Sequence, residues 1–427
     1  MVDTIVPNEE TLKRTVWQRQ SVRWGKRLLF NQMAKLRHGR IMISDPSGRW
    51  SFGSKREDFS MEARISVSDD RFYSKAVFGG SIGAAEAYMA GFWSTDHLTD
   101  LIRIIIRNQD LFTGIDRGWA RLTAPVYTLF HFLRKNTLRG SRQNIIAHYD
   151  LGNEFYGLFL DDTLTYSCAI FENETATLKE AQITKYDRIC RKLQLTPADR
   201  VIEIGSGWGG FSIYAAQNFG CQVTTTTISA EQHRLVRERI AKAGLAGKIQ
   251  LLDKDYRDIS GTFDKLVSIE MIEAVGHHYL DTFFRCCSRL LKPDGMMLLQ
   301  AITISDQAYK QHMHSVDFIK RYIFPGSCIP SINAFCDSMT QATDLRLFHL
   351  EDITPHYART LRTWRENFFN HIEEVHALGF SDAFVRMWEF YLSYCEAGFT
   401  ERYLGDVQIL LTKPLCRREP ILPKIAK

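Results

Sequence analysis

No stretch of the chain supplies the roughly 18 uncharged apolar residues that a membrane-spanning helix requires. The longest candidate, residues 122–133, is broken by Thr123, Pro125 and His131. The opening MVDTIVPNEE is acidic and lacks the apolar core of a secretory signal, so none is expected. The nine cysteines include no CxxC pair, which argues against a zinc site or a disulfide frame and for reduced thiols in a cytosolic compartment. Repeats and low-complexity blocks are absent. What is present is a composition that can bury a core: 427 residues, 45% hydrophobic and 24% charged, enough for two or three domains and incompatible with wholesale disorder.

Charge is unevenly spread. Residues 1–145 hold 23 Lys+Arg against 14 Asp+Glu, a net of +9, and the remainder a net of −4, which together give the chain's +5. A basic first part suggests an anionic partner, either nucleic acid or a phospholipid surface. Residues 1–37 show apolar residues at near-helical spacing, and 40–78 read as short antiparallel strands, FYSKAVF included. Helices are expected at 82–92, 96–108 and 117–134. The last of these is aromatic and ends in Arg134, Lys135, Arg139 and Arg142, which suits either a membrane interface or a core helix with a basic end.

From about residue 178 short β-branched runs alternate with helical stretches (VIEI, VTTTTI, IQLLD, KLVSIE, MMLLQAITI), the pattern of an α/β parallel sheet covered on both faces. LRLFHLED and VQILLTK would complete one edge. Residues 305–341 interrupt the rhythm after a strand end, where insertions commonly cover the site of an open sheet.

The run VIEI enters Gly205-Ser206-Gly207-Trp208-Gly209-Gly210 and then a helix, a nucleotide-binding turn in its proper context. Glu203 just before it lies within reach of a bound cation or amine, as a cofactor-binding residue would, and would repel a pyrophosphate. Thr226-Thr227-Ile228-Ser229 ends the next strand without the acidic residue that a dinucleotide ribose expects. S-adenosylmethionine, a sulfonium with an amino-acid tail and no phosphate, fits better.

These residues, together with NIIAHYDLGNEFYGLFLD (144–161), TYSCAIF (165–171), TTISAEQ (226–232), DYRD (255–258), EMIEAVG (270–276) and FIKRYIFPG (318–326), resemble the cyclopropane-fatty-acyl-phospholipid synthases over nearly all of 144–413. The resemblance implies a class I methyltransferase fold, Rossmann-like with a seven-stranded mostly parallel sheet, over 144–427, with a lid near 305–341. It also implies a smaller α+β lipid-engaging domain over 1–143.

The implied activity is methyl transfer from S-adenosylmethionine to the cis double bond of a phospholipid acyl chain. Gly205 and Gly207 would pass under the methionine part of the cofactor, Tyr166 and Ser167 would contact its tail, Thr227, Ile228 and Gln232 would lie along ribose and adenine, and Tyr256 would flank the adenine. A bicarbonate ion would be held by Cys168, Glu273, Ile302 and Tyr357. The family's His two residues before that isoleucine is Gln300 here, which donates a hydrogen bond but carries no proton, so the product is either a ring or another methylated chain. The resemblance further implies a cytoplasmic enzyme at the inner membrane face, often a homodimer.

Attack by an alkene leaves positive charge on carbon, which requires a dry site and suits aromatic faces; Tyr166, Phe171, Tyr279, Phe318, Tyr322, Phe324 and Trp364 are available. Without the motif, Glu270 and Glu273 can equally cap a helix, Tyr357 can be a core aromatic and Cys168 a small apolar filler; His312 and His314 suit packing. A nucleic-acid methyltransferase is disfavoured because no base-clamping Asn-Pro-Pro-Tyr appears. A non-catalytic lipid-binding homologue is the remaining alternative.

Overall fold

The structure, a computed structural model, describes residues 16–111 and 151–422. The stretch 117–134 and the boundary drawn at 143 lie outside the described residues. The chain divides into two compact units. One gathers the N-terminal residues with Ser315–Ile323 and Ile372–Tyr403; the other holds Phe324–His371, Leu404–Lys427 and the stretch before His314. The first unit is thus discontinuous in sequence, and the 305–341 segment is shared between the two.

In the first unit, strands β1 (Gly39–Asp45), β2 (Gly48–Ser54), β3 (Glu62–Val67) and β4 (Trp93–Thr95) form a sheet in the order β2-β1-β3-β4. It is mixed rather than antiparallel throughout, because β1 and β3 run parallel. The FYSKAVF run is a helix, Arg71–Phe78, and not a strand. Asp69 decides this: its carboxylate accepts from the Arg71 N–H at 2.8 Å and the Arg71 side chain at 3.0 Å, so the polar triplet starts a helix instead of ending a strand. The late helix Asp382–Thr400 belongs to this unit through a Tyr88–Glu389 hydrogen bond of 2.6 Å and through Glu401, just beyond its end, which binds Arg103 and Arg107.

In the second unit, β5 (Arg200–Ile204), β6 (Gln222–Thr227), β7 (Ile249–Asp253), β8 (Phe263–Ile269), β9 (Leu291–Ile304), β10 (Arg346–Asp352) and β11 (Leu404–Thr412) form a seven-stranded sheet in the order β10-β11-β9-β8-β5-β6-β7. Only β11 runs against its neighbours. Alternation along β9 builds a core on each face. Met297, Leu299 and Ala301 pack with Phe283, Phe284 and Phe335, while Met296 and Leu298 pack with Tyr186 and Phe211. The parallel strands end together at the edge where the sequence places its candidate residues.

Candidate active site

The glycine turn follows β5 directly. Gly205 and Gly207 take φ of +94° and +49°, a region L side chains rarely adopt, and a Cβ on Gly207 would meet nothing within 4 Å. Bare backbone facing open space at Gly207 is what a cofactor passing over a turn requires, and Gly205, whose Cβ would meet Met271 at 3.1 Å, lets the chain turn there, so the turn fits S-adenosylmethionine. Beside the next strand, Thr227 Oγ1 donates to Gln232 Oε1 at 2.8 Å and accepts from the Ser229 N–H at 3.1 Å. Ser229 caps the helix Ala230–Lys242. Ile228 between them keeps part of its surface exposed. Tyr256 opens a single turn capped by Asp255 and meets Phe283 edge-on at 5.6 Å.

Glu203 is placed differently from these. It is buried beneath the turn, where Oε2 accepts from Ser212 and, at 2.6 Å, from Thr225 Oγ1. Burial pushes its carboxyl up to about 7 while the two hydroxyls oppose the rise. Its contacts fix the turn to β6 and to the following helix.

On the other side of the turn, Tyr166 lies against Trp364 at 5.1 Å, Tyr156 at 5.4 Å and Phe324 at 6.4 Å, and Tyr357 meets Trp364 edge-on. Ser167 is buried and accepts from Lys185 Nζ at 2.6 Å. Phe171 instead stacks under Arg359 at 3.9 Å. Phe318 and Tyr322 belong to the first unit.

Cys168, Gln300 and Tyr357 meet at Glu270. Its Oε1 accepts from the Cys168 backbone N–H at 2.8 Å and Gln300 Nε2 at 2.7 Å; its Oε2 accepts from the Tyr357 hydroxyl at 2.6 Å. Glu270 has φ of +48°, costly for a side-chain-bearing residue, and its own N–H donates to the Gln300 carbonyl at 2.8 Å. Glu273 Oε1 accepts from the Ile302 N–H at 2.6 Å, and its buried Oε2 has no hydrogen-bond partner. Burial and the neighbouring Glu270 push Glu273 up to about 8. Burial and both glutamates push Asp406 well above the usual carboxylate range. The fully buried Cys168 thiol is pushed up as well, so a nucleophilic thiolate is not formed there.

Sequence reasoning missed Glu270 as a hub, and with it Lys185 and Asp406. One signal was available for Lys185: it and Gln182 fall within the buried stripe of the helix Leu178–Leu193, where apolar residues are expected. Among the described residues no His/Cys/Asp/Glu group could hold a metal ion.

A sheet of this order with one reversed strand, a glycine turn after β5 and a polar cluster at the strand ends defines a class I S-adenosylmethionine-dependent methyltransferase. Coclaurine N-methyltransferase shares the fold at a TM-score of 0.58 and 20% identity, covering 77% of this chain and 98% of that one. The chain belongs to the mycolic acid cyclopropane synthetase family, whose pattern matches residues 136–409. It is 38% identical over 341 residues to a tuberculostearic acid methyltransferase of Mycobacterium tuberculosis, covering 78% of this chain and 79% of that one. It is 34% identical over 356 residues to the cyclopropane-fatty-acyl-phospholipid synthase of Escherichia coli, covering 83% and 89%. A solved mycolic acid cyclopropane synthase complexed with SAH and CTAB matches at a TM-score of 0.60 and 31% identity, covering 64% of this chain and 98% of that one.

Proposed function

We propose that this methyltransferase methylates the double bond of an unsaturated acyl chain carried by a phospholipid, closing a cyclopropane ring. The observation that carries the reading is the pairing of an open glycine turn with a carboxylate cluster and an aromatic wall of Tyr166, Trp364 and Tyr357 at the same strand ends. When bound, S-adenosylmethionine supplies an electrophilic methyl on a sulfonium, and the alkene π pair forms the new carbon–carbon bond as the carbon–sulfur pair stays on sulfur.

The chain's residues supply what that attack needs. Gly205 and Gly207 give the backbone approach that aligns the donor. Buried aromatic faces exclude water and stabilise positive charge developing on the acyl chain. A carboxylate accepts the proton lost afterwards.

The basic N-terminal part supports docking on anionic lipid at the cytoplasmic face, each well-placed Lys or Arg contributing about 1 kcal/mol. No helix among the described residues is long and apolar enough to cross a membrane.

A second product is favoured by a specific observation: Gln300 stands where the cyclopropane-forming relatives implied His, and the 38% identity is to a tuberculostearic acid methyltransferase. Where a 1,2-hydride shift moves the cation onto the carbon that carries the new methyl, proton loss from that methyl leaves a methylene branch, and a saturated methyl branch then requires a separate reductase. The deciding experiment gives the purified protein S-adenosylmethionine and vesicles of monounsaturated phospholipid and characterises the acyl products. Ring protons in the NMR spectrum support the first product and vinylic methylene protons the second. Absence of any alkylated chain across head groups and double-bond positions removes the lipid reading.

A further inference from the structure

The groups expected to hold a bicarbonate ion were Cys168, Glu273, Ile302 and Tyr357, with Gln300 beside them; besides the Glu273 carboxyl they offer four donors, the N–H groups of Cys168 and Ile302, the Tyr357 hydroxyl and the Gln300 amide. All four are already engaged. Cys168, Gln300 and Tyr357 converge on the two oxygens of Glu270, and Ile302 donates to Glu273. A second anion placed there would have to displace a carboxylate bonded from three sides. The donor set does not fit an added bicarbonate.

The orientation of the Gln300 amide is set from a distance. Lys192 pairs with Glu351, and its ammonium, which only donates, contacts Gln408 Oε1 at 2.7 Å. Gln408 Nε2 must then face outward, and it meets Gln300 Oε1 at 3.0 Å across the β9–β11 ladder, where the two residues are direct partners. Gln300 Nε2 is thereby left to donate to Glu270. Each amide has one allowed sense, and the series ends at a carboxylate. Unlike a histidine, Gln300 has no acidic proton with which to discharge that carboxylate. Glu270 is not fully buried and sits in a left-handed backbone conformation beside Met271, which packs next to Gly205.

We propose that the Glu270 carboxylate stands in for the bicarbonate ion and is the proton acceptor of the reaction, so that this enzyme works without the ion. The proposal rests on the reading of methyl transfer to an alkene. After the methyl carbon has bonded to one alkene carbon, the cation lies on the other. The electron pair of a C–H bond of the added methyl closes the ring, or forms the methylene once a 1,2-hydride shift has moved the cation onto the methyl-bearing carbon, and the proton passes to a Glu270 oxygen, to be released to water once the product leaves. The three hydrogen bonds and the fixed Gln300 amide hold the carboxylate in place, so that it takes the proton rather than being alkylated.

The test uses the full chain loaded with S-adenosylhomocysteine, with binding of ¹³C-labelled bicarbonate followed by NMR and calorimetry. Wild type is expected to bind no bicarbonate at millimolar concentration. Glu270→Gly, a substitution suited to the φ of +48° and so compatible with folding, is expected to open the donors and bind it. In vesicle assays wild-type turnover should be unchanged in bicarbonate-stripped buffer. Glu270→Gln should lose on the order of 100-fold or more, and Glu270→Gly should regain turnover as bicarbonate is added. Saturable bicarbonate binding to wild type, or loss of its turnover on stripping, overturns the proposal. If no unsaturated lipid is converted by any variant, the lipid reading falls, and the binding measurements still decide whether Glu270 occupies the ion's place.

Discussion

The ends of β5 and β8 lie on neighbouring strands of one sheet, and each region carries a buried glutamate carboxylate under different conditions. Beneath the glycine turn, Glu203 is enclosed by two hydroxyl donors and has no charged neighbour; burial alone takes it to about 7. Past β8, Glu273 receives one backbone N–H, has an oxygen with no partner and faces Glu270, and it is pushed to about 8. The first arrangement satisfies its acid and locks a turn. The second keeps its acid short of donors and beside a like charge, which is how titratable groups are set up for proton chemistry. The pKa values differ little; the supply of donors and the presence of a neighbouring carboxylate distinguish the two acids.

The largest effect expected from breaking this comparison lies at the turn that Glu203 supports. Gly207→Val would fill the open space over a φ of +49°, removing calorimetrically measurable S-adenosylhomocysteine binding, a loss on the order of 1000-fold through steric exclusion. Gly244 is the control, since it also has a left-handed φ (+69°) and open space around it. Gly244→Val should bind normally; equal losses at both positions would mean that strain, not occupancy, is responsible.

Glu203 should appear next, in the pH dependence of stability. Its carboxyl is pushed up to about 7 from the ordinary 4.5, so the folded state holds the proton more tightly. Stability is therefore lost as pH rises from about 4.5 to about 7, by up to about 3 kcal/mol for a fully buried group. Glu203→Gln removes that dependence, and urea midpoints at pH 5 and pH 8 should differ by correspondingly less than in wild type. An unchanged difference would show that Glu203 does not titrate in this range.

Glu273 should be seen in turnover rather than in folding. Below about pH 8 it keeps its proton and Glu273→Gln resembles it; above that it ionises beside Glu270 while the variant stays neutral. The wild-type pH–rate profile should bend near 8, with the variant diverging by about tenfold one unit higher. A profile with the same bend in both proteins assigns that ionisation elsewhere.

How much of this was legible in the sequence follows the same division. The glycine turn and the strand–helix alternation were readable because each depends on local spacing, and LRLFHLED and VQILLTK do form the β10–β11 edge. Glu270 was readable only as a possible helix cap. Its role depends on a left-handed φ and on donors 30, 87 and 102 residues distant, and no local pattern encodes that convergence. The orientation of Gln300 depends on the β9–β11 register with Gln408, a pairing 108 residues apart. FYSKAVF was misread because its β propensity was outweighed by the Asp69–Arg71 turn that leads into the helix, and the first unit's later segments were missed because their packing on residues 80–107 is long-range.

The smallest effect is the sharpest test of the donor argument. Thr225 supplies one of the two hydroxyls on Glu203, at 2.6 Å, from a fully buried position on β6. Thr225→Val keeps the shape and removes the donor, leaving Glu203 with one partner, as Glu273 has. The Glu203 titration should then rise from about 7 toward the value of Glu273, by up to about one pH unit, equivalent to roughly 1.4 kcal/mol. It would be measured as an upward shift in the pH at which stability levels off. A Glu203 that stays at about 7 without the Thr225 hydroxyl would show that burial and charge alone set these acids, and the distinction drawn between the two strand ends would then rest on the proximity of Glu270 to Glu273.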